Sequence, residues 1–193
     1  MKKIIIGFIL LFVGISSYSQ TRINERDTWL LSVGVNTVAN FGTQNPFEDL
    51  SENSTRFAFR QPIAIAIERQ WTKFLHIEQD ISFNGFKESE FIDNGTPDKD
   101  LFYFSTNTTL KYYFGSHIFK ELEWLDLYGG FGLGLFNIEE INTSINGSLG
   151  MMFWVSETVA IRLQGVGKFA TTSDRRQYDN NHYQFMLQAV IRI

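Results

Sequence analysis

Charged side chains recur at alternate positions of several otherwise apolar segments in this 193-residue sequence. Acidic and basic residues contribute in equal number, and the members are Glu68, Glu78, Asp80, Lys111, Asp126, Arg162, Lys168 and Arg192. If such residues face a narrow, poorly solvated interior, opposite charges are expected to pair. We therefore predict a structural charge network that plugs the interior. An ion path with a switchable gate is the functional alternative.

The three histidines are the candidate catalytic bases. His182 lies in a loop that also holds Ser173, Asp174 and Asp179, which suggests a lipid-modifying enzyme as one alternative. Its spacing matches no enzyme signature, and a loop histidine beside Tyr183 is typical of an interfacial side chain. His76 and His117 are interpreted as structural. We predict no catalytic residues and a protein that is not an enzyme.

Oxygen-bearing residues cluster at 93–100, in the sequence Asp-Asn-Gly-Thr-Pro-Asp-Lys-Asp. Such a cluster could hold calcium, but it lacks the twelve-residue ligand pattern that ends in Glu, and the same residue types favour turns. The absence of cysteine excludes disulfides, thiolate metal sites and a cysteine nucleophile. We predict no metal site and no cofactor.

The elements that carry these residues are two-faced strands. Apolar and polar residues alternate with period two in eight segments, which begin at Trp29, Ile63, Leu75, Phe102, Leu125, Ser144, Val159 and Gln184. Gln79 is the one polar residue on the apolar face of its segment. This alternation also explains how 19 Phe coexist with a mean hydropathy of only −0.12. The pattern predicts an all-β chain.

The type of residue on each face decides the architecture. A barrel's outer girth exceeds its inner one, so the bulky Leu, Ile and Phe side chains should point outward, and Gly130, Gly132 and Gly134 should point inward. A soluble barrel has the opposite arrangement. Strands of about ten residues suit an apolar band near 25 Å tall. We predict an eight-stranded antiparallel up-and-down transmembrane β-barrel.

The N-terminal segment has the pattern of a secretory signal peptide. Lys2 and Lys3 precede a 12-residue apolar stretch from Ile4 to Ile15, and Ser17 and Ser19 are small residues at the positions that a signal peptidase reads. Twelve residues are too few for a membrane-spanning helix. We predict a cleaved signal peptide at 1–19 and one barrel domain at 20–193. The net charge of −4 gives no reason to expect a nucleic-acid partner.

Connection lengths and tryptophans indicate the orientation in the membrane. With the N-terminus in the periplasm, the outer loops are 37–60, 84–101, 137–142 and 170–182, and the shorter inner turns are 70–73, 115–123 and 156–158. All four tryptophans, Trp29, Trp71, Trp124 and Trp154, then fall near periplasmic strand ends. An indole favours the membrane–water interface, so we predict that they are interface aromatics.

The sequence resembles the outer-membrane β-barrel family of Gram-negative bacteria, specifically the small OmpA-type barrel. The resemblance covers about 27–193 and rests on Gly34-Val35-Asn36, Asn45-Pro46-Phe47, Tyr103-Phe104-Ser105-Thr106-Asn107, Lys111-Tyr112-Tyr113-Phe114, Leu125-Asp126-Leu127-Tyr128-Gly129-Gly130 and His182-Tyr183. Two features depart from the family pattern: the last residue is Ile193 where an aromatic residue is usual, and no peptidoglycan-binding domain follows.

The resemblance implies a protein embedded in outer-membrane lipid. We expect a monomer with a structural or surface-interaction function, whose loops 37–60 and 84–101 contact lipopolysaccharide, a ligand or a surface protein. The alternatives are the lipid-modifying enzyme and the narrow channel.

Overall fold

The computed structural model describes residues 28–42, 57–88, 90, 92, 95–172 and 178–193. The predicted signal peptide at 1–19 lies outside these residues, as do Ser173 and Asp174.

The described residues form nine strands and one short helix. The strands are β1 (Trp29–Gly42), β2 (Phe57–Ala58), β3 (Ile63–Gln70), β4 (Leu75–Phe86), β5 (Leu101–Tyr113), β6 (Leu125–Asn137), β7 (Ile141–Trp154), β8 (Val159–Ala170) and β9 (Asn181–Arg192). The helix α1 spans Gly115–Ile118. Within the described residues, no helix has the length and apolar character needed to cross a bilayer.

Eight of the strands form a closed barrel. Each pairs antiparallel with the next, and β9 pairs with β1 from Leu30↔Arg192 to Gly42↔Asn181. The two-residue β2 adds only a short pairing to the side of β1, through Val38↔Ala58 and Ala39↔Phe57. Because β1 and β9 pair, the backbone hydrogen-bonding groups that would be exposed at the edges of an open sheet have partners. The predicted eight-stranded antiparallel up-and-down barrel is confirmed.

Burial alternates along every barrel strand, as the sequence pattern predicts. In β3, for example, Ala64, Ala66 and Glu68 are buried between the exposed Ile63, Ile65 and Ile67. The small and polar residues therefore line the interior, and the bulky apolar residues form the outer wall.

The start of β1 and the end of the chain meet at the end of the barrel with the short connections, where the backbones of Trp29 and Ile193 exchange hydrogen bonds of 3.2 and 2.9 Å. We call this the turn end, and its connections are 71–74, 114–124 and 155–158. The opposite end is the loop end.

Several strands extend further toward the loop end than the apolar pattern predicts. β1 continues to Gly42 and β4 to Phe86, so the predicted loop starts at 37 and 84 are wrong. The reason is that the polar Thr37 and the small Gly85 follow Val35 and Phe83 at the outward positions, so the apolar alternation stops although the strands continue to pair. Asn36 donates its amide to the backbone oxygens of Ile63 and Phe83, at 2.8 and 2.9 Å, which holds the sheet together beyond the apolar belt.

The interior contains a large apolar cluster at each end, and between them lie polar layers and a small cluster of Ala64, Val166 and Met186. The loop-end cluster consists of Val38, Ala58, Phe86, Ile92, Leu101, Tyr103, Phe136, Ile138 and Tyr178. The turn-end cluster consists of Leu30, Tyr113, Tyr128, Met152, Trp154, Ala160 and Val190. Large side chains thus fill both ends, as expected for eight strands.

Candidate functional site: the charged interior

Four of the predicted charged residues form one compact group, which we call the charged cluster: Glu68 on β3, Glu78 on β4, Lys111 on β5 and Arg162 on β8. Glu68 and Glu78 stand directly opposite each other in the sheet, a pairing that repels unless cations lie close by. Arg162 supplies one cation, with Nη1 2.5 Å from Glu78 and Nη2 2.7 Å from Glu68. Lys111 Nζ supplies the other, at 2.5 Å from Glu78 and 3.1 Å from Glu68. Each base therefore bridges both acids, and the cluster is neutral.

Further polar side chains complete the bonding around the cluster. The Glu68 carboxylate also accepts hydrogen bonds from His76 Nδ1 and the Tyr113 hydroxyl, both at 2.7 Å. Gln164 Oε1 accepts from Lys111 Nζ at 3.1 Å and from the Tyr128 hydroxyl at 2.6 Å. All of these residues are buried, so the charges are separated from solvent and paired with protein groups, while Arg162 Nε is buried without a hydrogen-bond partner.

Asp80 and Lys168 form a second group nearer the loop end, joined through an amide. Asn107 donates Nδ2 to Asp80 at 2.6 Å, and its Oδ1 accepts from Lys168 Nζ at 2.9 Å. Lys168 also donates to the Ser105 hydroxyl at 2.7 Å. The pair is thus balanced in charge while Asn107 lies between its members.

Asp126 and Arg192 lie apart from both groups, at the turn end, on either side of Trp154. Trp154 Nε1 donates to Asp126 Oδ2 at 3.0 Å, and the Arg192 guanidinium lies 4.2 Å from the centre of the indole ring. The eight predicted residues therefore occupy three separate interior groups.

The prediction that Trp154 is an interface aromatic is wrong, because its side chain is only 2% exposed and lies inside the barrel. Side chains alternate between the two faces of β7, so Met152 and Trp154 point inward while Met151 and Phe153 point outward. The other three, Trp29, Trp71 and Trp124, are exposed on the outside of the turn end.

Two hydrogen-bonded groups of amides and hydroxyls line the interior near the loop end. Asn84 donates Nδ2 to Asn36 Oδ1 at 2.9 Å and accepts from the backbone N–H of Gly85 at 2.8 Å. The Ser82 and Ser105 hydroxyls lie 2.8 Å apart, and Gln184 donates to Ser82 at 2.7 Å. The sequence predicts that Asn36, Ser82, Ser105 and Gln184 lie on polar strand faces, but it assigns Asn84 to a loop and does not predict these hydrogen bonds.

His182 is fully buried beside the loop-end cluster. Its Nδ1 lies 2.9 Å from the backbone oxygen of Asn180, so this nitrogen carries the hydrogen, and Nε2 accepts from the Tyr103 hydroxyl at 2.8 Å. The Asp179 carboxylate instead accepts the backbone N–H groups of Ile138, Glu139 and Glu140, at 2.7, 3.2 and 2.9 Å. Both His182 ring nitrogens are thus occupied by neighbouring groups.

Within the described ranges, no group of three or more His, Asp or Glu side chains is placed to hold a metal ion. In the segment 93–100, Asp100 pairs with Arg60 at 2.6 Å and accepts the Glu88 backbone N–H at 3.0 Å. Asp93 and Asn94 lie outside the described residues.

No protein-family model matches this chain, and no curated protein resembles it in sequence. Solved structures do resemble it. The outer membrane protein OprG from Pseudomonas aeruginosa is 9% identical, with a TM-score of 0.56 over 90% of this chain and 98% of that one. The fold is that of a small outer-membrane β-barrel. Outer Membrane Protein W of E. coli is 12% identical, with a TM-score of 0.54 over 89% and 100% of the two chains.

A third similar structure is Ail, the attachment invasion locus protein of Yersinia pestis, in complex with the heparin analogue sucrose octasulfate. It is 15% identical, with a TM-score of 0.51 over 88% of this chain and 100% of that one.

Proposed function

We propose that this protein is an integral outer-membrane barrel with a structural or surface-interaction function and an interior closed by its own side chains. Export would use the signal peptide at 1–19, and the barrel would be surrounded by lipid. The single observation that carries this proposal is the inversion of the barrel: charges and amides lie inside, and large apolar residues lie outside.

The outer wall supports insertion into a membrane. Exposed apolar side chains occur on all eight barrel strands, and examples are Val33, Ile65, Ile77, Leu110, Leu133, Leu149, Leu163 and Leu187. A surface of this extent would drive aggregation in water but is compatible with hydrocarbon.

Gel mobility and cell fractionation test the location. We expect the protein in the outer-membrane fraction, with unheated and boiled samples migrating differently, because a folded barrel resists detergent. A soluble periplasmic protein whose band is unchanged by boiling would contradict the proposal.

The layered interior supports a closed lumen. The charged cluster and the Asp80–Asn107–Lys168 group lie between the loop-end and turn-end clusters, and charges in both groups are balanced. An ion crossing this interior would have to displace buried partners at several levels, which is costly in a low dielectric.

Planar-bilayer recording tests the closed interior. Purified protein that has passed the gel-mobility test should give no stable current steps above the baseline, while an open porin in the same bilayer gives steps. Reproducible steps from the folded protein would overturn the closed lumen and favour the narrow channel.

The segments 37–60 and 84–101, which leave strands β1 and β4 at Gly42 and Phe86, are the proposed contact surface. Their described parts are joined by the Arg60–Asp100 ion pair and by the Arg60 backbone N–H, which donates to Asn84 Oδ1 at 3.1 Å. The Ail complex with sucrose octasulfate supports the idea that a barrel of this fold can bind a ligand. Lipopolysaccharide binding by whole cells, compared with cells lacking the gene, is the first test.

The burial of His182 supports a non-catalytic function, because a catalytic base must reach its substrate. Replacing His182 by Gln, which keeps hydrogen-bonding capacity, should leave the lipid profile of the outer membrane unchanged. A change in acyl composition in a folded variant would favour the lipid-modifying enzyme.

A further inference from the structure

Three polar side chains lie together on the outer wall, where every surrounding position is apolar. These are Gln79 on β4 and Thr106 and Thr108 on β5, and we call them the outer polar patch. Thr108 donates its hydroxyl to Gln79 Oε1 at 2.5 Å, and Gln79 Nε2 donates to Thr106 Oγ1 at 2.7 Å. Thr106 in turn donates to the backbone oxygen of Asp80 at 2.8 Å.

The patch lies halfway up the wall. Gln79 pairs with Thr108 in the sheet, and along β5 the aromatic residues Tyr112 and Phe104 lie at equal distances on either side of Thr108. Tyr112 belongs to the turn end, and Phe104 contacts Phe83 near the loop end. A barrel held between these aromatic residues would place the patch near the middle of the hydrocarbon.

The internal bonds do not use the full capacity of the patch. The second amide hydrogen of Gln79 has only the Asp80 oxygen within reach, at 3.4 Å, and Gln79 Oε1 and Thr108 Oγ1 each keep acceptor capacity. Hydrocarbon offers no hydrogen-bond partner, so exposed amides in a membrane favour contact with another protein surface.

We propose that the outer polar patch is an interface with a second copy of this chain within the membrane. The inference rests on the proposed membrane insertion and departs from the monomer expected from the sequence. A second copy fits because an amide carries both donors and acceptors and is therefore complementary to itself. A twofold axis along the membrane normal would bring the two Gln79 side chains together.

The surroundings of the patch suit such a contact. Ile77, Ile81 and Leu110 frame it with exposed apolar side chains that would pack against their equivalents in the other copy. No charged residue of β4 or β5 faces outward within this frame, so the two walls would approach without repulsion.

Disulfide cross-linking tests the interface directly, because the chain contains no cysteine of its own. The test variant is Ile81→Cys, next to the patch. The matched control is Leu163→Cys on β8, which lies opposite β4 in the barrel and is equally exposed, at 43% against 42%. Both variants are inserted into phospholipid vesicles, checked by gel mobility and oxidised at a low protein-to-lipid ratio.

We expect cross-linked dimers from Ile81→Cys and few from Leu163→Cys. Adding Gln79→Leu to Ile81→Cys should reduce the dimer fraction about threefold to tenfold, as expected for the loss of intramembrane hydrogen bonds. Adding Thr108→Val, which keeps the side-chain shape, should cause a smaller reduction.

Equal cross-linking at both positions, or a dimer fraction that Gln79→Leu leaves unchanged, would overturn the interface. Inserted protein that forms no dimer at position 81 would also overturn it and leave the proposed function intact. Failure of the unmodified chain to insert would instead contradict the proposed function, so the two failures are distinguishable.

Discussion

Arg162 and Leu163 are neighbours in the chain and lie in opposite environments. Arg162 is 0% exposed and holds two carboxylates inside the barrel, whereas Leu163 is 43% exposed on the outer wall. The inner face is constrained by charge balance and hydrogen bonding between strands. The outer face is constrained by the solvent that surrounds it. One strand therefore carries two independent sets of requirements, and substitutions on its two faces should fail for different reasons.

Arg162→Met should have the largest effect. It leaves Glu68 and Glu78 opposite each other with only Lys111 to balance them, and an uncompensated buried charge costs about 3–5 kcal/mol of unfolding free energy. Urea unfolding of the protein in lipid vesicles measures the loss. Arg162→Lys keeps the charge and should lose less, and Arg162→Met combined with Glu78→Gln should recover part of the stability. A loss of unfolding free energy below about 1 kcal/mol for Arg162→Met would contradict the claim that charge balance constrains the inner face.

Leu163→Arg tests whether the outer wall faces lipid. A cation facing hydrocarbon near the middle of the bilayer costs about 2–4 kcal/mol, so the variant should insert poorly or unfold at lower urea. Leu163→Ala is the control for lost side-chain volume. If the arginine costs no more than the alanine, the outer wall does not face lipid.

Asn84→Ala should have an intermediate effect inside the barrel. It removes the acceptor for two backbone N–H groups and the donor to Asn36, and leaving such groups unsatisfied costs about 1–3 kcal/mol. Ser82→Ala, which removes one hydroxyl from the neighbouring Ser82–Ser105–Gln184 group, should cost less. Equal unfolding free energies for the two variants would contradict the stabilising effect assigned to the hydrogen bonds of Asn84.

The same substitution at two glycines compares the two faces directly, and the change at Gly147 should have the smallest effect on stability of all. At Gly134 a Cβ would meet the side-chain atoms of Asn107 and Asn146, while at Gly147, on the outer wall, it meets nothing within 4 Å. Gly134→Ala should cost about 1–3 kcal/mol through overpacking, and Gly147→Ala should change stability by less than about 0.5 kcal/mol. Similar values for both would show that the interior has room to adjust.

Strand number and the division into two faces could be predicted from the sequence because a period of two is a local property. The same parity placed the charged residues inside. Trp154 was assigned by its position near a strand end, although its parity with Met152 already placed it inward.

The sequence does not predict which inward side chains contact each other. Contact between Arg162 on β8 and Glu68 on β3 depends on the barrel diameter and on closure, since these strands are not neighbours in the sheet. Likewise, Asn107 separates Asp80 from Lys168 because of side-chain geometry, to which the alternation pattern is insensitive.

The charged cluster also has a consequence for the order of assembly. Arg162 meets Glu78 and Glu68 across 84 and 94 positions of the chain, so it reaches them only when β8 has come round the interior. Without that contact, the hairpin of β3 and β4 carries two facing carboxylates that Lys111 alone does not balance. Neutralisation therefore requires the long-range contact that closure of the barrel brings, which favours the closed barrel over an open sheet of the same strands.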